Sequence, residues 1–520
     1  VNGAQALLHT LAGSGVRVCF ANPGTSEMHF VAALDSTPGM RGVLCLFEGV
    51  ATGAADGYGR MTGHPAAVLL HLGPGLGNGL ANLHNARRAH TPIVNVVGDH
   101  ATYHQRHDAP LQSDIAAVAG SVSGWFRSTA RAGDVAADGA EAVAAALRSP
   151  GGIATLVLPA DVSWSPASAP PPSGSPVSRP APLVSGEVVG AVAAALNGGE
   201  PCVLLVGGAA TRREGIEAAD RIARATGAKL LCETFPARLE RGAGIPSVER
   251  LSYLGEFAAA QMEGARHVIL AGAPRPVAFF AYPDKPSDLV PEGCEVHLLA
   301  DEGEDVTDAL ERLADLVAKD TEPVARQAAR PALPSGALTA ETAAAVIGAL
   351  LPEDAIVADE ANTSGLWLAE ATAGAPPHDW LTLTGGAIGQ GMPLATGAAV
   401  ACPSRPVVCL ESDGSAMYTL QALWTQARES LNVTTVLFDN RAYAILGMEL
   451  TRTGAAERPG PAARALVDLS GPDLDFVALA RGMGVQASRA ATVEDFAAQF
   501  GTAIAEPGPH LIQVVVPPIG

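Results

Sequence analysis

The chain has 520 residues, a length that as a prior holds about three domains, and with 48% hydrophobic residues, 4% aromatic and 57 glycines it has a globular α/β composition. Lysine and arginine number 33 against 53 aspartates and glutamates, a formal charge of −20 with no basic cluster, which speaks against a nucleic-acid surface. The 7 cysteines are scattered without a CxxC pair, so neither a disulfide framework nor a zinc site is indicated and a reducing cytoplasm is the expected compartment.

No stretch approaches the ~20 uninterrupted apolar residues of a membrane span, so no membrane partner is expected. The start, Val1-Asn2-Gly3-Ala4-Gln5, lacks the basic and apolar character of a signal peptide. A helix is predicted over Gln5–Ala12, then strands at Val16–Phe20, Val43–Phe47, Val68–His71 and Ile93–Val97, with a turn at Asn22-Pro23-Gly24-Thr25. Short apolar runs alternating with helical stretches predict a parallel sheet. Glu48 follows the Val43–Phe47 run and is expected at the carboxyl end of a strand, where open α/β sheets place ligands. Taken alone it also reads as a solvated or helix-capping carboxylate. His71, in His71-Leu72-Gly73-Pro74-Gly75-Leu76-Gly77-Asn78, is either an acid/base group or a histidine closing a strand. The glycines there lack the full G-x-G-x-x-G spacing of a dinucleotide loop.

Ser163–Pro182 is dense in proline and serine and reads as an extended linker; Thr321–Gly336, with Pro323, Pro331 and Pro334, marks a second. Three segments result, 1–165, 183–320 and 337–520, each expected to be an α/β domain with a mostly parallel sheet flanked by helices. The middle one shows strands at Val203–Val206 and Val268–Leu270; the third shows Ala355–Ala358, Val407–Leu410, Val433–Phe438 and Leu511–Val516.

Within the third segment, Val407–Leu410 and Val433–Phe438 flank a tight Ser412-Asp413-Gly414-Ser415 turn. A helix is predicted from Met417, Leu420, Leu423, Trp424 and Ala427. Parallel strands end on one edge, so Asp413 and Asn440 are expected to meet. Carboxylate, amide and carbonyl oxygens are hard ligands that suit Mg²⁺ carrying phosphates. The helix opening after Ser415 adds N–H groups for the same anion.

Ser412-Asp413-Gly414-Ser415 with Asp439-Asn440-Arg441-Ala442-Tyr443 resembles the Gly-Asp-Gly…Asn-Asn motif of thiamine-diphosphate enzymes of the acetolactate synthase and benzoylformate decarboxylase group. Ser412 replaces its first glycine and Asp439 its first asparagine. The resemblance extends over essentially the whole chain. It implies a thiamine-diphosphate-binding fold, with a pyrimidine-binding first domain, a central domain and a diphosphate-binding third domain. The cofactor would lie between two subunits of a homodimer at least, expected to pair into a tetramer.

Carried over residue by residue, the resemblance makes Glu48, in Phe47-Glu48-Gly49-Val50-Ala51, the partner of the pyrimidine N1′, trading a proton that drives the amino-to-imino shift. It places Asn78 beneath the cofactor, Thr25 where a hydroxyl holds the substrate carboxylate, and His71 where benzoylformate decarboxylase has an active-site histidine. Asn362, Thr363, Gly414, Ser415 and Tyr443 would surround the diphosphate, although Asn362-Thr363-Ser364 alone reads as a helix cap. Asp413, Asn440 and the Ala442 carbonyl would bind the metal. Gly386 would offer its carbonyl to the pyrimidine amino group, with Ile388 the wedge that bends the cofactor; without this context both belong to a glycine-rich turn. His100, Phe279, Phe280, Leu446 and Met448 would line the substrate pocket, the phenylalanines standing near a second histidine of benzoylformate decarboxylase; Leu446 and Met448 read equally as core. Gly272-Ala273-Pro274-Arg275-Pro276 departs from the Gly-Ala-Arg-Phe-Asp pattern of flavin-binding members, which disfavours FAD without removing it as an alternative.

The implied activity is decarboxylation of a small 2-oxo acid to an enamine whose protonation releases an aldehyde. The alternative is an acetolactate-synthase-like carboligase, which joins the enamine to a second carbonyl. A cofactor-binding, non-catalytic subunit is the reading from another class.

Overall fold

The computed structural model describes residues 1–168 and 180–518; most of the proline-rich linker therefore lies outside the described residues. The first sheet consists of β1 (Val18–Ala21), β2 (Arg41–Leu44), β3 (Ala66–Leu70), β4 (Ile93–Asp99), β5 (Trp125–Ser128) and β6 (Ile153–Pro159), in the order β2-β1-β3-β4-β6-β5 and parallel throughout. The middle of the chain supplies β7 (Cys202–Val206), β8 (Lys229–Cys232), β9 (Leu239–Arg241), β10 (Glu249–Arg250), β11 (His267–Ala271) and β12 (Glu295–Ala300). Five of these form a second parallel sheet, β10-β8-β7-β11-β12.

The third sheet contains β13 (Ile356–Glu360), β14 (His378–Leu381), β15 (Val407–Ser412), β16 (Val433–Asp439), β17 (Gln486–Ala490) and β18 (His510–Val515). Its order is β17-β18-β16-β15-β13-β14-β9, and β9 pairs antiparallel with β14. A strand from the middle of the chain thus closes the edge of the third sheet and covers ladder groups that would otherwise stand open. Helices flank these sheets, giving the expected mostly parallel α/β architecture. Among the described residues no helix is long and apolar enough to cross a membrane.

Two expectations of local structure are corrected. Strand β2 stops at Leu44, and Glu48 is the first residue of the helix Glu48–Thr62. The Cys45–Phe47 connection leaves the sheet because β2 is, among the described residues, an edge strand beside β1, whose pairing ends in register at Ala21↔Leu44. The single helix predicted from Met417 to Ala427 is two helices, Asp413–Thr419 and Ala422–Arg428. The first starts at Asp413 itself, four residues before the Met417 at which its apolar spacing begins. Met417 is 43% exposed, while the buried face is made by Gly414, Ser415, Ala416 and Thr419.

First and third sheets share one core, in which the helix Glu48–Thr62 packs on Gly391–Ala401. The approach is so close that a methyl group on Gly57 would sit 2.0 Å from the Leu394 carbonyl oxygen and one on Gly397 1.8 Å from that of Ala54. Backbone meets backbone here, and larger residues would push the sheets apart. A buried polar network runs through the same junction. Arg60 binds Asp56 through both carboxylate oxygens (2.8 and 2.6 Å) and donates to the Thr382 and Ala237 carbonyls, while Asp56 also accepts from Thr91 and Gln390. The carboxylate and guanidinium are at most 1% exposed. Each partner offsets part of the desolvation penalty the other would suffer alone.

Candidate active site

Parallel strands in register deliver the predicted metal-binding pair to one edge. The ladder runs Glu360↔Glu411 between β13 and β15 and Ser412↔Phe438 between β15 and β16, so Asp413 and Asn440 emerge side by side. Asp413 accepts from the Gly414 N–H at 2.7 Å and, through its other oxygen, from the Arg441 N–H at 2.6 Å. Asn440 Oδ1 accepts from the Ala442 N–H at 2.9 Å, which folds the Asn440–Ala442 backbone back on itself and carries Arg441 into a left-handed φ of 58°. Burial pushes the Asp413 carboxyl up to about 6, partly countered by the backbone N–H groups it accepts from. Tyr443 caps the helix Ala444–Arg452, and its ring lies so close to Gly414 that a methyl group there would approach it to 2.3 Å.

Behind the turn, Asn362 donates to Ser412 Oγ (2.6 Å) and Ser415 Oγ (3.0 Å), and Ser412 Oγ reaches the Glu360 carbonyl at 3.1 Å. Ser412, expected only as a glycine replacement, therefore ties the turn to β13. Thr363 follows Asn362 in a short 3₁₀ turn, half-buried, beside the same edge. A carboxylate, an amide oxygen, three small polar side chains and the amino end of a helix converge here. This donor set fits Mg²⁺ with a diphosphate.

The Gly385–Gly391 loop is fixed on both sides of Ile388. Asn85 bonds both the carbonyl (2.8 Å) and the N–H (3.1 Å) of Ala387; Asn82 and Thr419 share the Gly389 carbonyl at 3.1 and 3.0 Å. From below, Glu360 accepts the Gly389 N–H at 2.7 Å and the Gly391 N–H, and Glu411 accepts that of Met392 at 3.1 Å. The two carboxyls cap the helix Gly391–Ala401 at its positive end. Both are completely enclosed. Burial raises Glu360 to about 7 and pushes Glu411 well above the ordinary carboxyl range, the negative field of Glu360 adding to the latter. Gly386 has φ 73°, and the Phe279 ring stands over it, 2.6 Å from where a Cβ would lie. Phe279 in turn contacts Phe235, Tyr253 and Phe280 at centroid distances of 5.9, 5.1 and 4.9 Å, forming an aromatic wall beside the loop.

The remaining predicted residues gather on the carboxyl edge of the first sheet. Glu48 is buried at the amino end of its helix and accepts from Asn78 Nδ2 at 3.0 Å. His71 follows β3 and caps the helix Leu72–Arg88; its Nδ1 lies 2.9 Å from Glu27 Oε2. Glu27 was not singled out from the sequence. It is 3% exposed and also accepts from the Gly24 N–H (2.7 Å) and Ser26 Oγ (2.6 Å). It therefore holds His71 by Nδ1 and leaves Nε2 for other work. A methyl group on Gly24 would fall 2.1 Å from the His71 ring, so the Asn22–Thr25 turn is the shelf on which the imidazole rests. Thr25 itself is exposed, and its neighbour Ser26 approaches His71, at 3.4 Å. His100 continues from β4, half-buried, its ring tilted against that of His104 at a centroid distance of 5.4 Å. Leu446 is 48% exposed and Met448 half-buried on a helix without a buried residue, so neither is core within one chain.

Two clusters result: Glu48, Asn78, His71 and Glu27 on the first sheet; the Asp413–Asn440 clamp with the Ile388 loop on the third. Asn82 bridges their scaffolds through the Gly49 and Gly389 carbonyls, yet among the described residues no hydrogen bond joins Glu48 or His71 to the clamp. In the central segment, the Gly207-Gly208 turn lies at the point where the strand order reverses between β7 and β11. Its Gly208 N–H is taken by Glu233 at 3.0 Å, a carboxyl standing where a flavin or nucleotide phosphate would seek that donor.

Residues 1–119 match the thiamine pyrophosphate enzyme N-terminal TPP binding domain and residues 361–514 the corresponding C-terminal TPP binding domain. A Mycobacterium tuberculosis protein provisionally named acetolactate synthase large subunit IlvX is 65% identical over 517 residues, 99% of each chain. Benzoylformate decarboxylase of Pseudomonas aeruginosa is 30% identical over 537 aligned positions, covering 96% of each. The solved structure of the thiamine diphosphate-dependent 4-hydroxybenzoylformate decarboxylase of Rhodococcus jostii superposes with a TM-score of 0.86 at 26% identity, covering 99% of each chain.

Proposed function

Since the chain belongs to the thiamine pyrophosphate enzyme family, we propose that it binds thiamine diphosphate through Mg²⁺ and decarboxylates a 2-oxo acid, releasing an aldehyde. The observation that carries the reading is the Glu27–His71 pair. A histidine anchored at Nδ1 by a buried carboxylate presents Nε2 as a proton donor on the same sheet edge as Glu48. A reaction that ends by protonating the enamine carbon needs a donor aimed at that carbon, whereas in ligation the proton goes to the acceptor's oxygen instead.

Asp413, Asn440 and the Ala442 carbonyl would hold the metal, with Asn362, Thr363, Gly414, Ser415 and Tyr443 around the diphosphate. When bound, thiamine diphosphate supplies the electron sink that lets carbon dioxide depart. The chain's own residues do the rest. Glu48, steadied by Asn78, holds a proton at its carboxyl for a ring nitrogen. The doubly anchored Ile388 keeps its side chain at one height at no cost in reorganisation, and the Gly386 carbonyl is presented by a left-handed turn. Thr25 offers a hydroxyl to a carboxylate. Phe279 and Phe280, with Phe235 and Tyr253, offer an exposed aromatic wall that favours an apolar, preferably aromatic, substrate side chain. The Glu233 carboxyl at the Gly208 turn supports a reading without FAD.

Because Glu48 and the clamp form separate clusters within one chain, the complete site is read as shared between subunits of a homodimer, with tetramers as its pairing; a monomer in solution contradicts this. A cytoplasmic location fits the free cysteines. The second reading, a carboligase, is favoured by the 65% identical relative's name. Incubation with phenylglyoxylate and with pyruvate decides between them: aldehyde supports decarboxylation, a 2-hydroxy ketone or 2-hydroxy-2-methyl-3-oxo acid supports ligation, and neither product sinks both.

A further inference from the structure

We propose that the central segment holds a second metal site, for a divalent transition ion of the zinc class, built from His267, His297 and Glu295 and oriented by Glu200. The ladder between β11 and β12 pairs His267 with Glu295 and Ile269 with His297. With a side-chain period of two, Glu295 and His297 share a face, and their partners put His267 on it as well, at the amino-terminal edge of the second sheet. The aromatic wall beside the Gly386 loop follows the opposite end of β11, so this cluster is separate from the candidate active site.

His267 Nδ1 lies 2.9 Å from His297 Nε2. Glu295 completes the triangle, one oxygen 3.8 Å from His267 Nδ1 and the other 3.9 Å from His297 Nε2. Behind them, Glu200 Oε2 is 3.0 Å from His267 Nε2. A carboxylate at Nε2 draws the ring proton there and leaves the Nδ1 lone pair facing the other imidazole. That is how carboxylates orient metal-binding histidines. The rings are 13% and 17% exposed, so the nitrogens are partly shielded from water, while the 68% exposed Glu295 can swing to close the site.

Tetrahedral ligands with bonds of ~2.0–2.1 Å stand roughly 3.4 Å apart, so the imidazoles need to part by about half an ångström and the carboxylate to approach by a similar amount. Two imidazoles and one carboxylate, with a water in the fourth position, suit Zn²⁺, Co²⁺ or Ni²⁺ and not Mg²⁺, which the all-oxygen Asp413–Asn440 site favours. Cys202, the register partner of His267 on β7, donates its thiol to the Glu200 carbonyl at 3.3 Å and is not counted as a ligand. The absence of a CxxC pattern gives no sign of this site because neighbouring strands, not sequence spacing, bring the ligands together.

The test uses untagged, chelator-stripped protein refilled with thiamine diphosphate and Mg²⁺, then titrated with CoCl₂ or ZnCl₂. The expected result is one equivalent bound after desalting, tetrahedral d–d absorption with cobalt, and a rise in Tm that further MgCl₂ does not reproduce. Glu200→Ala should weaken binding ~10- to 100-fold with the three ligands intact. The His267→Gln/His297→Gln double variant should abolish it while keeping wild-type turnover, which shows that it remains folded. No cobalt uptake at stoichiometric concentration, or uptake unchanged in the double variant, overturns the proposal.

Discussion

Replacing Glu27 by glutamine isolates the contribution of one buried charge to the candidate active site. The amide is nearly isosteric. With its oxygen at the Oε2 position it still accepts from the Gly24 N–H (2.7 Å) and His71 Nδ1 (2.9 Å), and its NH₂ can face Ser26 Oγ, whose hydroxyl rotates to accept. The geometry stays and the charge goes. A hydrogen bond to a charged group is worth ~1.5–3 kcal/mol net and a neutral one ~0.5–1.5, so the protonated imidazole loses about 1–2 kcal/mol of support. At 1.36 kcal/mol per tenfold, kcat on the preferred 2-oxo acid should fall ~5- to 30-fold, with KM little changed. The assay is a double-mutant cycle on steady-state kinetics with His71→Phe. Because Glu27 acts through His71, Glu27→Gln should add almost nothing in the His71→Phe background. Additive losses, or a Glu27→Gln enzyme within twofold of wild type, would refute the assignment of His71 as a proton donor held by Glu27.

Glu48→Gln should still gain Tm from thiamine diphosphate with Mg²⁺ but exchange the C2 proton of the bound cofactor orders of magnitude more slowly, as read by NMR; undiminished exchange rejects Glu48 as the tautomer control. Asp413→Asn should lose the stabilisation that wild type shows, ~2.7 kcal/mol at a hundredfold excess over Kd, and an unchanged thermal shift means that the clamp does not bind the metal. The Glu360–Glu411 pair binds protons more tightly folded than unfolded, so its stabilising contribution is complete below the ordinary carboxyl range and is lost as pH rises through about 7. Melts from pH 5 to 9 without cofactor should therefore show stability already declining between pH 5 and about 7, and Glu411→Gln, whose amide oxygen still accepts the Met392 N–H, should lessen that decline; parallel curves count against the raised carboxyls. Asp56→Asn leaves the Arg60 guanidinium buried without its counter-charge and should cost about 3–5 kcal/mol in denaturant unfolding, an effect under 1 kcal/mol disproving the network's structural role.

Where local pattern governs, the chain was readable. Two apolar runs around Ser412-Asp413-Gly414-Ser415 required a βαβ unit, and in-register parallel strands brought Asp413 and Asn440 together as expected. Glu48 was placed on the correct edge but in the wrong element. The apolar Cys45–Phe47 reads as strand in isolation, while the edge position of β2 lets it leave the ladder. The continuous helix from Met417 failed because a repeat of apolar residues does not show that Met417 faces outward. Glu27, Glu360 and Glu411 gave no signal as single acidic residues among many; the i, i+4 spacing of Asp56 and Arg60 was available but is common on solvated helices.

By itself the sequence determined the α/β class and the cofactor family, because hydrophobic period and a short motif are properties of neighbours along the chain. Only the tertiary structure decided which carboxyls are stripped of water and what each of them holds: Glu27 behind His71, Glu360 and Glu411 beneath the Ile388 loop, Glu200 behind His267. A carboxylate's chemistry depends on burial and on the donors that face it, and those donors come from strands and helices far apart in sequence.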